Sequence, residues 1–262
     1  MSRRVRMWLF APTLAGVAAL LVWGFTGLPG FGHYRGVYGH LLAKVAVPER
    51  KATDIVSSTT FDYRGFDTLG EEIILFTAAL GLVVLLREQR GEQHEEEETD
   101  DDEEGEEGRE QRTSEALRIL GLGLVGPTVV LGVYIITHGH LTPGGGFQGG
   151  VILSTALLIV YLAGRYAAMR RVSPLPLVEA GEAAGATAFA LIGLGGLIIA
   201  GIYMKNFIDP GTPKMLLSGG FIPLLNISVG LEVAGAFTLA YTEFLDQTLL
   251  LRGSGGGAEG EE

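Results

Sequence analysis

Apolar residues in this chain fall into six blocks, each about as long as the roughly 20 residues that a helix needs to cross the hydrocarbon core of a bilayer. The blocks run approximately from Met7 to Leu28, Thr68 to Leu86, Ala116 to Ile136, Phe147 to Ala168, Ala183 to Met204 and Phe221 to Leu245. This pattern predicts an all-α, polytopic membrane protein with about six transmembrane helices. Because the first block lacks a clear cleavage site of small residues and five more blocks follow it, we expect an anchor rather than a signal peptide.

The basic residues predict the orientation of these spans. If the N-terminus is cytoplasmic, 12 of the 19 Lys and Arg residues flank the cytoplasmic ends of the spans. They are Arg3, Arg4, Arg6, Arg87, Arg90, Arg109, Arg112, Arg118, Arg165, Arg170, Arg171 and Arg252. The positive-inside rule therefore favours two cytoplasmic termini. The segment 29–66 would then be external, and its part from Val37 to Val47 is typical of a short amphipathic helix on the membrane surface.

The net charge of −11 comes from one segment. Residues 88–112 contain 14 acidic and three basic residues, which accounts for the whole imbalance. Such a segment buries too little apolar surface to offset the entropy of ordering, so we expect a disordered acidic loop in the cytoplasm. This loop divides the chain into a two-helix module (1–87), a linker (88–113), a four-helix domain (114–250) and a flexible tail (251–262).

Two acidic residues stand at the start of the second predicted span, where the sequence reads Asp62-Tyr63-Arg64-Gly65-Phe66-Asp67-Thr68-Leu69-Gly70-Glu71-Glu72. Thr68 and Glu71 have the spacing of a capping box, in which both side chains satisfy donors at a helix N-terminus. Alternatively, Glu71 or Glu72 enters the bilayer within an assembly and binds a cation or a proton, as intramembrane acids commonly do.

Other polar residues lie within or beside the predicted spans. Glu232 falls near the middle of the last span, which requires a buried hydrogen-bond partner, a protonated state or a wet cavity. Asn226 is close enough along the helix to share that cluster. His138 and His140 have no carboxylate nearby in the sequence, so their spacing does not favour a metal site.

The third and fourth spans are joined by a loop that cannot be helical. It contains Thr142-Pro143-Gly144-Gly145-Gly146-Phe147-Gln148-Gly149-Gly150. A proline followed by three glycines interrupts a helix, and an exposed backbone inside lipid needs protein or water around it. The loop therefore predicts close packing against neighbouring elements.

These two motifs resemble those of Mrp-type multisubunit sodium/proton antiporters. The string from Asp62 to Glu71 is similar to the C-terminal part of the antiporter A subunit and to the E subunit of membrane-bound hydrogenases related to complex I. From about Ser114 to Leu250 the chain resembles the antiporter B subunit, whose signature loop matches Thr142 through Gly150. The resemblance covers most of the chain outside the acidic segment.

The resemblance implies a non-catalytic subunit of a cation/proton exchange complex in the plasma membrane. The family's membrane acid on a proposed sodium path corresponds to Glu71, but Glu72 replaces an apolar residue of the pattern, so either carboxylate could face the path. The family's loop proline corresponds to Pro143, whose role would be to end the third span and allow the glycines to pack closely. A tight, rigid turn between antiparallel helices is the alternative.

The ion path is therefore predicted to involve Glu71, Glu72 and Glu232, supported by a structural motif. The motif residues are Asp67, Thr68, Pro143, Gly144, Gly145, Gly146, Phe147 and Gln148. We expect no cofactor, no bound metal and no nucleic acid partner; the partners would be other antiporter subunits, the lipid bilayer, and Na+ and H+ as transported ions. The absence of cysteine excludes disulfides and thiolate iron–sulfur ligation.

Two other functions fit the sequence less well. The chain could be an ion-translocating subunit of a membrane-bound hydrogenase or a related respiratory complex, or an independent small-solute channel built on the glycine-rich loop. An enzyme is disfavoured, because the sequence shows no nucleophile–base pair, phosphate-binding loop or metal cluster.

Overall fold

The computed structural model describes residues 3–28, 30, 36–86 and 114–255, and all regular structure within these ranges is helical. The helices are α1 (Arg3–Thr26), α2 (Val37–Arg50), α3 (Ile55–Ser58), α4 (Gly65–Leu86), α5 (Glu115–Thr137), α6 (Gly146–Val172), α7 (Leu175–Ala200) and α8 (Ile222–Gly255). A π-helical turn, Thr59–Tyr63, lies between α3 and α4. The prediction of an all-α protein is confirmed.

Five of these helices are long and apolar enough to cross a membrane. The spanning portions are Gly65–Leu86, Glu115–Thr137, Gly146–Gly164, Leu175–Ala200 and Ile222–Gln247. They correspond to the second through sixth predicted spans. The first predicted span coincides with α1, whose part from Leu14 to Thr26 is apolar but shorter than a span. A sixth crossing therefore stays a prediction. The predicted acidic loop lies outside the described residues, as does most of the predicted tail.

The chain forms two compact units, Met1–Leu41 and Leu42–Glu262. In the first unit, the side chains of α1 from Leu14 to Thr26 are all exposed. The second unit is built around α8. In an apolar stretch of 18 residues within α8, 67% of the residues are buried, compared with 11% in the corresponding stretches of α4 and α5. Helices α4, α6 and α7 all pack directly on α8, and α5 packs chiefly on α6.

The core of the second unit contains residues from both sides of the acidic segment. Ala52 and Phe61 precede that segment, and they pack with residues of α7, α8 and the loop before α8. Those residues are Phe189, Met204, Phe221, Ile222, Leu225, Val229 and Val233. The two predicted modules thus share one hydrophobic core in the part of the chain that the structure describes.

The fifth predicted span, Ala183 to Met204, was misplaced at both ends. Helix α7 runs from Leu175 to Ala200 and ends where Gly201 adopts the left-handed conformation, with φ of 74°. The chain then folds back along α7, and the Met204 N–H donates to the Gly193 carbonyl over 3.1 Å. A prediction from hydropathy alone includes the apolar Tyr203 and Met204 and excludes the first turns of α7, because these contain Glu179 and Glu182. The predicted span is therefore shifted towards the C-terminus of the helix.

Candidate ion-path site

Two carboxyl groups meet inside the helical bundle of the second unit. Glu72 on α4 is 1% exposed and Glu232 on α8 is 0% exposed. Their side chains interact with each other, and neither receives a hydrogen bond from a donor elsewhere among the described residues. Two carboxyl groups can share a hydrogen bond only when a proton lies between them, because an ionised carboxylate only accepts. The pair is therefore suited to hold a proton or another cation.

The other predicted acids of this motif point away from the pair. Glu71 is exposed on α4, although it is close enough to act electrostatically on Glu72. Asp67 is also exposed and forms an ion pair with Arg64, whose Nε lies 2.6 Å from Asp67 Oδ2. Exposed ion pairs of this kind contribute little to stability. The structure thus brings together Glu72 and Glu232 and leaves Glu71 at the surface of the chain.

Thr68 is buried and does not cap a helix, so the capping-box interpretation was wrong. Helix α4 already begins at Gly65, and the Thr68 hydroxyl donates to the Thr60 carbonyl over 2.8 Å. That carbonyl lies in the π-helical turn, where the Arg64 N–H reaches back to the Thr59 carbonyl. A π-turn displaces the usual backbone pairing, and single π-turns often occur at functional sites. Here Thr68 connects this turn to the start of α4.

The glycine-rich loop is ordered by one buried side chain, Asn226 of α8. Gly144 and Gly145 have φ angles of 136° and 130°, which side chains other than glycine rarely adopt. The Gly146 N–H, at the start of α6, donates to Asn226 Oδ1 over 3.0 Å. A Cβ atom on Gly145 would lie 2.7 Å from the same oxygen. The glycines therefore allow the backbone to approach Asn226, which confirms the expected close packing of this loop.

Asn226 also binds the segment before α4. Its Nδ2 donates to Ser57 Oγ over 3.0 Å and to the Ile222 carbonyl over 3.1 Å. The side chain is fully buried, and its hydrogen bonds join α3, the glycine-rich loop and α8. The expectation that Asn226 shares a cluster with Glu232 was wrong, because its polar atoms are directed at these groups instead.

Pro143 is exposed in the loop and does not end the preceding helix. Helix α5 ends at Thr137, six positions earlier, so this part of the expected role is wrong. Phe147 packs against the hydrophobic core, whereas Gln148 is exposed. The Leu141 carbonyl accepts a hydrogen bond from the Thr53 hydroxyl over 2.6 Å, and the His140 carbonyl accepts one from the Asp54 N–H over 3.1 Å. The loop therefore binds the segment before α3 through its backbone.

A partly buried ion pair joins Arg50 to Asp62 before α4, and Asn206 connects Asp62 to the loop before α8. Arg50 Nε lies 2.8 Å from Asp62 Oδ1, and Asn206 Nδ2 donates to Asp62 Oδ2 over 3.0 Å. Burial raises the pKa of Asp62, while the Asn206 hydrogen bond and the charges of Arg50 and Lys205 oppose this rise. Asn206 Oδ1 accepts from the Phe221 N–H over 3.1 Å. This network fixes the position where α8 begins.

The two histidines of the loop lie in different environments. His138 stacks on Tyr134 with ring centroids 4.1 Å apart. His140 is fully buried beside the backbone of Met215 and Leu216, and this burial lowers the pKa of its imidazole. Among the described residues, no group of three His, Cys, Asp or Glu side chains is placed to hold a metal ion.

Sequence reasoning missed one acid close to the pair. Glu182 on α7 is 2% exposed, and Glu232 is the carboxyl group with the largest effect on it. The predicted span began at Ala183, so Glu182 was assigned to a loop. Pro174 and Pro176 are the signal that could have corrected this, because proline is favoured at the first positions of a helix. They indicate a start before both Glu179 and Glu182.

Comparisons with known proteins match both parts of the chain. Residues 3–102 match the family of the E subunit of MBH, and residues 116–239 match a domain related to the MnhB subunit of Na+/H+ antiporter. An uncharacterized protein of Methanocaldococcus jannaschii is 30% identical over 247 residues, which cover 87% of this chain and 90% of that protein.

Two solved structures share the fold. One is a chain of the membrane-bound sulfane sulfur reductase, an archaeal respiratory membrane complex, with a TM-score of 0.66 and 28% identity over 92% of this chain and 98% of that chain. The other is a chain of the Mrp complex from Dietzia sp. DQ12-45-1b, with a TM-score of 0.64 and 22% identity over 93% of this chain and 26% of that chain.

Five long apolar helices define the class of the protein, which is a multi-pass membrane protein. More particularly, the chain belongs to the family that joins a module like the E subunit of membrane-bound hydrogenase to a domain related to the antiporter subunit MnhB. The family resemblance inferred from the two sequence motifs is confirmed.

Proposed function

We propose that this chain is a membrane subunit of a multisubunit Na+/H+ antiporter, where it scaffolds the complex and lines part of a cation path. The match to a domain related to the MnhB subunit of Na+/H+ antiporter supports the assignment. The chain itself is non-catalytic and acts with other antiporter subunits in the plasma membrane. Both termini face the cytoplasm, and residues 88–113 link the two modules on that side.

The contact between Glu72 and Glu232 is the observation that carries the role in the cation path. Burying an ionised carboxyl group without a donor is far more costly than burying a protonated one, so such a group is expected to hold a proton or bind a cation. A stable scaffold would not require two such groups in contact, since apolar residues of similar size commonly pack as well or better. The pair therefore supports a role in ion binding or transfer. Of the two acids that the sequence left open for this role, Glu71 and Glu72, we assign it to Glu72. Glu71 lies on the approach to the pair.

The exposed faces of α4 and α5 are available to lipid and to partner subunits. Only 11% of the residues in the apolar 18-residue stretch of each helix are buried. Both helices expose large apolar side chains, including Ile74 and Val130, which are each 70% exposed. Contiguous apolar surface of this extent is stable only against lipid or protein. This supports a subunit that functions inside a larger membrane assembly.

A subunit of a respiratory complex is the second candidate, favoured by one specific comparison. The chain covers 98% of a chain of the sulfane sulfur reductase complex at 28% identity. In such a complex the same helices would couple redox energy to ion movement. The polypeptides that copurify with this chain in mild detergent distinguish the two: antiporter-like subunits alone support the antiporter, and iron–sulfur subunits support the respiratory complex.

The cation path is tested by replacing Glu72 and Glu232 singly with Gln in the complete complex. Glutamine keeps the size and hydrogen-bonding capacity of the side chain but cannot ionise. We expect sodium-driven proton movement in membrane vesicles to fall by about 100-fold in each variant, the lower end of what a positioned proton-transfer group contributes. Glu71→Gln should have a smaller effect, because this carboxyl group is exposed.

The matched control is Glu115→Gln, which changes an exposed acid in the first turn of α5. It should exchange ions as the wild type does. Normal exchange in both Glu72→Gln and Glu232→Gln, with the complex assembled, would contradict a cation path through this chain and leave only the scaffold role.

A further inference from the structure

The acid that sequence reasoning missed, Glu182, occupies a position that the scaffold role does not explain. It is 2% exposed, and its Oε1 has no hydrogen-bond partner among the described residues. A buried, unpaired carboxyl oxygen is unfavourable by about 1–3 kcal/mol in proteins. Like the Glu72–Glu232 pair, it is retained in the interior of the bundle.

Close packing of α7 on α8 brings Glu182 to the pair. A Cβ atom on Gly185 would lie 2.6 Å from the Glu232 N atom, and one on Gly235 would lie 2.8 Å from the Glu182 Cβ. These two glycines remove the side chains that would otherwise separate the helices. As a result, the backbones carrying Glu182 and Glu232 are in contact, and the two carboxyl groups act on each other.

The three buried acids belong to three different helices, because Glu232 is on α8 and the other two are on α4 and α7, which pack on it. Glu232 interacts with both Glu72 and Glu182. Exposed acids follow at both ends, because Glu71 acts on Glu72 and Glu179 acts on Glu182. The row therefore passes from helix to helix, from α4 through α8 to α7, rather than along one helix.

We propose that Glu182 extends the Glu72–Glu232 pair into a proton relay that crosses the chain sideways and ends at the exposed Glu179 face of α7. This inference rests on the proposed function. In each step the O–H bond of one carboxyl group breaks and an O–H bond to the neighbouring carboxylate forms. The proton moves one position, the negative charge moves one position in the opposite direction, and the total charge of the row is unchanged.

The chemistry of the row suits a proton better than a metal cation. Transfer between carboxyl groups requires only one oxygen on each side, and neighbouring acids whose charges repel each other retain a proton between them. A metal ion requires several oxygens at fixed distances, and no three acidic or histidine side chains in the described ranges have such an arrangement. A partner subunit that contacts α7 near Glu179 would receive the proton.

The relay is tested with Glu182→Gln and Glu182→Asp in vesicles that contain the complete complex. A neutral Glu182 with a purely structural role would be replaced well by Gln, which has the same shape. A relay residue must titrate, so we expect exchange to fall at least about 10-fold in Glu182→Gln and to recover in part in Glu182→Asp, which restores the acid. Glu115→Gln serves again as the control.

The results separate this inference from the proposed function. Wild-type exchange in an assembled Glu182→Gln complex, alongside loss of exchange in Glu72→Gln, overturns the relay and leaves the cation path intact. Wild-type exchange in all three Gln variants overturns both. If Glu182→Gln does not assemble, infrared titration of the complex decides: a carboxyl band that shifts in Glu182→Asp and changes with pH supports the relay, and the absence of such a band overturns it.

Discussion

At the scale of single residues, the side chain of Asn226 holds three separate parts of the fold together. It accepts from the Gly146 N–H and donates to Ser57, so it satisfies one buried backbone group and one buried hydroxyl. Asn226, Ser57 and Gly146 are all buried. Loss of such a side chain leaves buried polar groups without partners, which costs more than the hydrogen bonds themselves contribute.

We therefore predict that Asn226→Leu lowers the free energy of unfolding by about 1–3 kcal/mol for each buried group left unpaired. The measurement is the midpoint of thermal unfolding of the purified complex in mild detergent. Thr128→Ala is a suitable control, because the exposed Thr128 hydroxyl only bonds to Leu124 within its own helix. An unchanged midpoint in Asn226→Leu would show that the glycine-rich loop is held by other contacts.

Which acid of the Glu71-Glu72 pair is buried could not be predicted from the sequence. Consecutive helical residues differ by about 100° around the axis, and both positions fit the start of an apolar span. The choice is made by the packing of α4 on α8, which turns Glu72 towards Glu232. Similarly, two of the partners of Asn226, Gly146 and Ser57, lie 80 and 169 positions away in the sequence, so no local pattern could reveal them.

At the scale of helices, the contact between α7 and α8 is much closer at Gly185 than at Gly181, one turn earlier. A Cβ on Gly185 would lie 2.6 Å from both the Glu232 N atom and the Ser228 carbonyl oxygen. One turn earlier, a Cβ on Gly181 would lie 3.5 Å from Leu231 Cδ1, an ordinary contact. Backbone atoms cannot move aside as a side chain can, so of these two glycines of α7 only Gly185 is essential for this approach.

We predict that Gly185→Ala separates α7 from α8 and destabilises the protein by about 1–3 kcal/mol, as overpacking of a core typically does. Gly181→Ala is the matched control on the same helix. It should be neutral or slightly stabilising, because alanine favours a helix over glycine by about 1 kcal/mol. The yield of assembled complex and its thermal midpoint measure both effects. Equal behaviour of the two variants would contradict the assigned contact.

Sequence patterns predicted the spans of α4, α5, α6 and α8 within a few residues, because their length and apolar content are enough to define them. They failed at α7, where the first turns contain Glu179 and Glu182 and the C-terminal end is followed by an apolar segment that folds back. The burial of Glu182 depends on glycines of two helices meeting. A property that arises from a contact between two helices is not present in either sequence alone.

At the scale of the whole molecule, residues 42–86 and the helices after residue 113 belong to one compact unit. Besides the shared core, Gln247 Nε2 of α8 donates to the Leu86 carbonyl at the end of α4 over 2.8 Å. Together with the Asn206–Asp62 and Asn226–Ser57 bonds, this places polar contacts between the two parts near both ends of α4. The acidic segment is therefore not needed to hold them together.

We predict that a chain cut at a protease site inserted between residues 88 and 113 remains associated in mild detergent. The physical reason is the close packing of α4 on α8 and the hydrogen bond from Gln247 to the Leu86 carbonyl, because van der Waals contacts and interhelical hydrogen bonds hold helices together in a membrane or detergent. Size-exclusion chromatography after cleavage checks this. Elution of two separate fragments would contradict it, and the same chain without protease is the control.

The hydrogen bond between Gly146 and Asn226 has a consequence for biosynthesis. A chain is made from its N-terminus, so the glycine-rich loop enters the membrane region before the helix that contains its partner exists. Until α8 has been synthesised and inserted, the Gly146 N–H has no access to Asn226 Oδ1. The loop can therefore reach its native conformation only after α8 has been synthesised and inserted.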